Sequence, residues 1–164
     1  MRGFVALCMA VVGLMGVMAL ALHFREAVAG WVWPSPRVVL VAGVSDREQG
    51  VFARCVGAHR VTCVIDGDTV WYQGVKIRVA DINAPEISDP ACDAELRLGE
   101  RAAARMEGLL NGGRFSLVAL PGRDADVYGR RLRVLMRGGR SLGGVLVAEG
   151  LAERWVGVRR DWCD

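Results

Sequence analysis

The sequence predicts a mixed α and β domain in the part of the chain after residue 50. Short runs of β-branched and aromatic residues alternate with glycine-containing turns, as at Gln73 and Gly74, which is typical of a strand meander. Residues 94–110 instead repeat apolar side chains at helical spacing, and Gly150 closes a second, shorter helical stretch. Strands and helices therefore share one small domain.

Five strands are predicted, at residues 60–66, 70–72, 75–82, 115–120 and 131–136. Pro85 ends the pairing of the third strand, because proline cannot donate to a sheet. Asp93 is expected to cap the long helix, and a second helix is expected at residues 141–149. The face of the long helix toward the core is predicted to consist of Leu98, Ala102, Met106 and Leu109.

Two carboxylates interrupt the first pair of strands, at Asp66 and Asp68. Two aspartates held close together raise each other's pKa unless a cation or a guanidinium lies between them. This stretch is consistent with a cation site. It is also consistent with a solvated Asp-Gly hairpin turn, and both interpretations stay open on these residues alone.

Residues 3–22 contain no charged residue and are long enough to span a bilayer as a helix. We predict a membrane anchor or signal segment at residues 1–30, a linker at 31–50 and a domain at 51–164. Few positive charges follow the apolar segment, so the domain is predicted to be exported. It would face the periplasm or exterior from the inner membrane, or be secreted if small residues at 27–29 direct cleavage.

Four cysteines outside the apolar segment form an even set in a chain that is predicted to leave the cytoplasm. Two disulfides are expected, and the sequence permits three pairings. We predict that Cys92 pairs with Cys163, which ties the loop before the long helix to the C terminus. Cys55 would then pair with Cys63 across a short hairpin. A zinc site is not favoured, because no CxxC pair occurs.

Cationic side chains give the 164-residue chain a formal net charge of +3, which suits a polyanionic partner without identifying one. Lys76 is the single lysine, and the scattered arginines are assigned to a solvated surface. Arg78 and Arg130 are exceptions, because each belongs to a motif.

Four motifs follow one another in an order that resembles the staphylococcal nuclease (thermonuclease) family. The motifs are Asp66-Gly67-Asp68-Thr69, Ile77-Arg78, Asn83-Ala84-Pro85-Glu86 and Asp126-Val127-Tyr128-Gly129-Arg130. The resemblance runs from about residue 62 to residue 155. It implies a β-barrel with helices (α+β), an OB-type five-stranded Greek-key barrel.

The resemblance also implies a metal site. Asp68 would bind Ca²⁺ or another divalent metal, Asp66 would support it, and Ala84 would offer its carbonyl. The family has a carboxylate where Asn83 stands, and the amide oxygen can coordinate calcium but brings no charge. Weaker calcium binding or a different metal preference would follow. Asp81 is a less favoured substitute ligand.

Catalytic roles follow from the same resemblance. Glu86 would be the general base that activates water, while Arg78 and Arg130 would stabilise the charge at the scissile phosphate. The family places tyrosines near the C-terminal end of the domain, where this chain has Trp155. Tyr128 and Trp155 are therefore the candidates for substrate contact.

The sequence supports an exported, metal-dependent nuclease, a monomer that hydrolyses single- or double-stranded DNA and RNA without sequence specificity. The alternative is a catalytically weak or inactive OB-type nucleic-acid-binding module of the cell envelope, which Asn83 favours. Glu86 together with Arg78 and Arg130 favours the enzyme, because a binding module needs no general base. An envelope scaffold is a third interpretation, which rests on the apolar segment and the cysteines alone.

Overall fold

In the computed structural model, which describes residues 45–163, nine strands and two helices form an α+β domain. The helices are α1 (Asp93–Asn111) and α2 (Leu142–Ala148). The strands are β1 (Ala53–Arg54), β2 (Cys63–Asp66), β3 (Thr69–Tyr72), β4 (Val75–Val79), β5 (Ile82–Asn83), β6 (Ser116–Ala119), β7 (Arg131–Arg137), β8 (Arg140–Ser141) and β9 (Glu153–Arg154). The predicted α+β class is confirmed.

The main sheet is mixed and has the order β1-β2-β3-β4-β7-β6, with β8 on β7, while β5 and β9 form a separate pair. Strands β2, β3 and β4 are an antiparallel meander, and β4 pairs in parallel with β7. In that register Ile77 lies opposite Arg131, so Arg130, just before β7, comes next to the strand that carries Arg78. Closure of this sheet into a five-stranded Greek-key barrel stays a prediction.

Two turns of the meander contain glycines that the backbone geometry requires. Gln73 and Gly74 both have positive φ, at 50° and 79°, so the predicted hairpin turn lies where it was expected. Between β2 and β3, a Cβ atom at Gly67 would lie 2.8 Å from the Cβ atoms of Ala84 and Ala102. Glycine is therefore required there because α1 crosses directly over the Asp-Gly-Asp turn.

The core contains an aromatic cluster in which the ring centroids of Phe52, Tyr72 and Phe115 are 5.5–6.0 Å apart. Of the predicted α1 face, Ala102 and Met106 are fully buried, but Leu98 and Leu109 are only half-buried. The helix is rotated from the prediction, because its small residues face the sheet closely. The buried residues of α1 are Glu95, Gly99, Ala102, Ala103, Met106 and Leu110.

The cap of α1 also differs from the prediction. Cys92 rather than Asp93 is the N-cap, and its sulfur accepts a hydrogen bond from the Glu95 amide at 3.4 Å. Cys92 is disulfide-bonded to Cys163, and Cys55 to Cys63, so the predicted pairing is observed. The N terminus of α1 is thus covalently joined to the end of the described chain.

Residues 46–49 hydrogen-bond with the domain. Asp46 accepts from the Ser116 hydroxyl at 3.0 Å, and Glu48 bridges to Phe115 through backbone bonds of 2.9 and 3.0 Å. The predicted boundary at residue 51 stays a prediction, and the predicted anchor at residues 1–30 lies outside the described residues. Within residues 45–163, no helix combines the length and apolar character needed to cross a bilayer.

Candidate functional site

Asp68 is a buried carboxylate at the entry to β3, and it joins three parts of the chain. Its Oδ2 accepts hydrogen bonds from Nη2 of Arg78 at 2.9 Å and from the backbone amide of Ala84 at 2.7 Å. Its Oδ1 accepts from the Thr69 hydroxyl at 3.0 Å. Asp68 therefore holds the loop after β5 against the β3–β4 hairpin.

Arg78 is held from both ends of its guanidinium. Thr69 pairs with Arg78 across β3 and β4, which places the arginine beside Asp68. While Nη2 contacts Asp68, Nη1 donates to the carbonyl of Ile82 at 2.8 Å and also to that of Val79. Only 12% of the Arg78 side chain is exposed, so the sheet fixes its position before any ligand arrives.

Asp66 adds a second buried carboxyl group, and its Oδ1 accepts from the Asp68 amide at 3.2 Å. Burial is the largest cause, followed by the negative charges of Asp68 and Glu86, and together they raise the pKa of Asp66 to about 8. At neutral pH Asp66 is therefore mostly protonated, while Asp68 is paired with Arg78. A cation bound nearby would favour the ionised form of Asp66.

Glu86 lies in the loop after β5, and its position depends on a residue that sequence reasoning missed. The buried Glu95 of α1 accepts from the Glu86 amide at 3.2 Å and from the Ala91 amide at 2.7 Å. Local spacing gave no signal for it, because Glu95 stands only two residues after the predicted cap Asp93, and the observed cap is a cysteine. The Glu86 side chain is 39% exposed, and its Oε1 lies 3.4 Å from Nη1 of Arg159.

Arg130 is positioned by Asp126, four residues earlier. The Asp126 Oδ2 accepts from Nε of Arg130 at 2.6 Å, and Oδ1 accepts from the amides of Tyr128 and Arg130 at 2.9 Å each. Burial raises the pKa of Asp126, but the hydrogen bonds and the charge of Arg130 outweigh it and lower the pKa below its usual value. Gly129 has a φ of 74°, a conformation that favours glycine, and this closes the turn.

A cleft of about 240 Å³ brings the predicted phosphate and substrate residues together. Arg78, Arg130, Tyr128 and Trp155 all line it. The guanidinium carbon of Arg78 lies 5.9 Å from the ring centroid of Trp155, and that of Arg130 lies 5.4 Å from that of Tyr128. Residues separated by more than 70 positions in sequence therefore meet around one opening.

The predicted metal residues are all buried, and none of them lines the cleft. Asn83 and Ala84 are both 5% exposed, and Asn83 pairs with Glu153 between β5 and β9. Asp81, considered as a substitute ligand, is directed elsewhere, because its Oδ2 accepts from the Ser141 hydroxyl at 2.5 Å. Ser141 is the N-cap of α2, so Asp81 fastens that helix, and the substitute role stays a less favoured prediction.

The carboxylate of Asp68 could bind a hard cation only if neutral oxygen atoms completed the coordination. Across the described part of the chain, no three His, Cys, Asp or Glu side chains are grouped closely enough to hold a metal alone. Asp68 retains a free lone pair on Oδ1 that could bind a cation. An amide oxygen at Asn83 and a carbonyl at Ala84 would complete an oxygen site of the kind that Ca²⁺ prefers.

Comparison with known proteins agrees with this geometry. The family model described as staphylococcal nuclease homologue matches residues 76–161, just over half of the chain, and includes Arg78, Glu86, Arg130 and Trp155. A relative, Endonuclease YncB of Bacillus subtilis (strain 168), is 37% identical over 92 residues. The match covers 54% of this chain but only 43% of that relative, so the chain spans less than half of the relative's length. The chain belongs to the staphylococcal nuclease homologue family.

Proposed function

We propose that this chain is a metal-dependent nuclease that hydrolyses phosphodiester bonds of DNA and RNA without sequence specificity. The observation that carries the proposal is the convergence of Arg78 and Arg130 on one cleft, with Glu86 paired to another residue of its lining. Both arginines are fixed by buried or half-buried carboxylates, so the site is organised before substrate binds. The relative that is named an endonuclease supports the same activity.

In this proposal the arginines bind the non-bridging oxygens of the scissile phosphate. Glu86 accepts a proton from a water molecule, whose oxygen forms a bond to phosphorus. The bond from phosphorus to one ester oxygen breaks, and the leaving oxygen takes a proton from solvent. Because negative charge increases at phosphorus during this step, Arg78 and Arg130 bind the transition state more strongly than the substrate.

We also propose a divalent cation, most simply Ca²⁺, at Asp68, the amide oxygen of Asn83 and the carbonyl of Ala84, with Asp66 in support. Its chemistry would be to neutralise the phosphate and to lower the pKa of nearby water. The raised pKa of Asp66 supports this assignment, because a nearby cation would let this buried carboxyl group ionise, and so does the oxygen character of every donor. Tyr128 and Trp155 would contact the nucleic acid beside the reacting phosphate.

The remaining parts of the proposal concern shape and place in the cell. We infer an OB-type five-stranded Greek-key barrel, because the mixed sheet carries one helix after the meander and a second after β8. We further propose a monomer that is exported and held by its N-terminal apolar segment at the inner membrane, or secreted after cleavage of that segment. Two disulfides support a location outside the reducing cytoplasm.

The test is digestion of single-stranded DNA, duplex DNA and RNA by the full chain, with calcium and with chelator. Glu86→Gln is expected to lower turnover by about two decades or more while leaving substrate affinity nearly unchanged. Glu107→Gln on α1 is the matched control, because Glu86 forms an ion pair with a residue of the cleft lining, whereas the Glu107 side chain forms none within the described residues. Equal cleavage by wild type and Glu86→Gln, in preparations free of contaminating nuclease, would overturn the catalytic assignment.

A binding module is the second candidate, and Asn83 is the observation that favours it, since it removes one charge from the metal site. That function predicts tight binding of nucleic acid without cleavage under any divalent metal. The digestion assay therefore separates the two functions directly.

A further inference from the structure

Residues 155–163, here named the C-terminal arm, run from β9 to the second disulfide. The arm is fixed near both ends, because the Trp155 amide donates to the carbonyl of Asp81 at 3.0 Å and Cys163 is bonded to Cys92. Between these points Arg159 reaches the cleft, where it lies with Arg78 and Arg130. The cleft therefore contains an arginine that none of the sequence motifs identified.

Arg159 differs from the other two arginines in how strongly its present partner holds it. Arg78 and Arg130 contact carboxylates that are 8% exposed, at 2.9 and 2.6 Å. Arg159 is 64% exposed and contacts the half-exposed Glu86 at 3.4 Å. An exposed pair of this kind contributes little stability, so an incoming phosphate can replace Glu86 as the partner of Arg159.

The second disulfide connects both members of that pair. Cys163 ends the arm that carries Arg159, and Cys92 caps α1, whose Glu95 holds the amide of Glu86. The covalent bond thus limits how far Arg159 can move from Glu86. Without it, the only described backbone hydrogen bond from the arm to the rest of the domain is the one made by Trp155.

We propose that the C-terminal arm is a nucleic-acid-binding element, in which Arg159 contacts a backbone phosphate next to the scissile one and the Cys92–Cys163 disulfide holds the arm in place. The inference rests on the proposed function, since it extends the same cleft. The ligand is the phosphodiester backbone of a single strand, because exposed Tyr128 and Trp155 in this cleft offer ring faces to unpaired bases.

The first experiment measures binding by fluorescence anisotropy, with chelator present and with a labelled oligothymidylate of about ten nucleotides. Arg159→Ala is expected to weaken binding about tenfold, which corresponds to about 1.4 kcal/mol. It is also expected to reduce the slope of log affinity against log salt by about 0.7, the loss of one single-strand phosphate contact. Arg160→Ala is the control, because this neighbouring arginine lies over Trp162 and does not line the cleft.

The second experiment tests the disulfide. Cys163→Ser keeps Cys92 as the helix cap and is expected to weaken binding as much as Arg159→Ala does. The double variant should bind no more weakly than Arg159→Ala alone, because both changes remove the same contact. A short glycine insertion after Arg160, which retains the disulfide but slackens the arm, is expected to act like Cys163→Ser and replaces it if that variant does not fold.

Two results would overturn the inference. One is an equal salt slope and affinity for Arg159→Ala and Arg160→Ala. The other is wild-type affinity in both Cys163→Ser and the insertion variant. Wild-type protein that binds the oligonucleotide in this arm-dependent way, yet cleaves nothing under any metal, would overturn the proposed nuclease and leave the arm intact.

Discussion

Two arginines that line the cleft, Arg78 on its inner side and Arg159 on its outer side, form ion pairs with carboxylates in opposite settings. On the inner side, Arg78 and Asp68 are 12% and 8% exposed and are aligned by the register of β3 and β4. On the outer side, Arg159 and Glu86 are 64% and 39% exposed and are brought together by a disulfide and a loop. The inner pair is part of the fold, whereas the outer pair is free to exchange partners with a ligand.

Burial decides this difference. A buried charge that loses its partner has no water to replace it, so the inner pair cannot open without destabilising the domain. An exposed charge is solvated in either state. The inner pair is therefore suited to fixing Arg78 in place, whereas Arg159 and Glu86 in the outer pair can turn to a substrate or a water molecule.

The largest expected effect is on the inner pair. Arg78→Ala leaves the buried Asp68 carboxylate without its guanidinium and is expected to lower the free energy of unfolding by about 3–5 kcal/mol. Arg159→Ala, the matched change on the outer side, is expected to shift it by no more than about 0.5 kcal/mol. Urea unfolding at neutral pH measures both. Similar losses in the two variants would contradict the comparison.

Arg130 lies between these extremes, since its side chain is 20% exposed and its partner Asp126 is 8% exposed. Arg130→Ala is expected to lower both substrate affinity and turnover, with a total loss in kcat/KM of about 2–4 kcal/mol. Arg131→Ala is the control, because Arg131 is half-exposed and pairs with Asp124 on the surface. A loss confined to KM would assign Arg130 to substrate binding alone.

A substitution at the proposed metal site is expected to have a smaller effect, and to strengthen binding rather than weaken it. Asn83→Asp adds a charge at the position where the family has a carboxylate, and we expect it to tighten calcium binding about tenfold, or about 1.4 kcal/mol. Calorimetric titration of wild type and variant measures this difference. Unchanged or weaker affinity in Asn83→Asp would remove Asn83 from the proposed ligands.

The smallest expected effect concerns pH. Because the pKa of Asp126 is lowered in the folded state, its ionised form stabilises the fold at neutral pH, and that contribution is lost as pH falls toward the folded pKa. Asp126→Asn is expected to destabilise by about 1 kcal/mol near pH 7, and the difference from wild type should shrink on acidification. Urea unfolding in a pH series measures it, and a difference that stays constant with pH would contradict the assignment.

Local spacing was enough to determine several features of this protein. Three features depend on neighbouring residues and lie where they were predicted. They are the Asp-Gly-Asp turn, the hairpin turn at Gln73 and Gly74, and the two helices. Family resemblance likewise identified Arg78 and Arg130 in advance, and both line the cleft. The turn and the helices were predicted correctly because backbone preferences act within a few residues of each other, whereas the roles of Arg78 and Arg130 stay predictions.

The tertiary structure alone decided the partners of the charged groups. Glu95 secures the amide of Glu86, Asp81 fastens α2 through Ser141, and Arg159 enters the cleft. Arg159 is 73 positions from Glu86, and Ser141 is 60 from Asp81. Hydrophobic periodicity in the sequence cannot predict contacts between residues so far apart. An ion pair or hydrogen bond forms wherever packing brings two groups together, and packing depends on the whole chain.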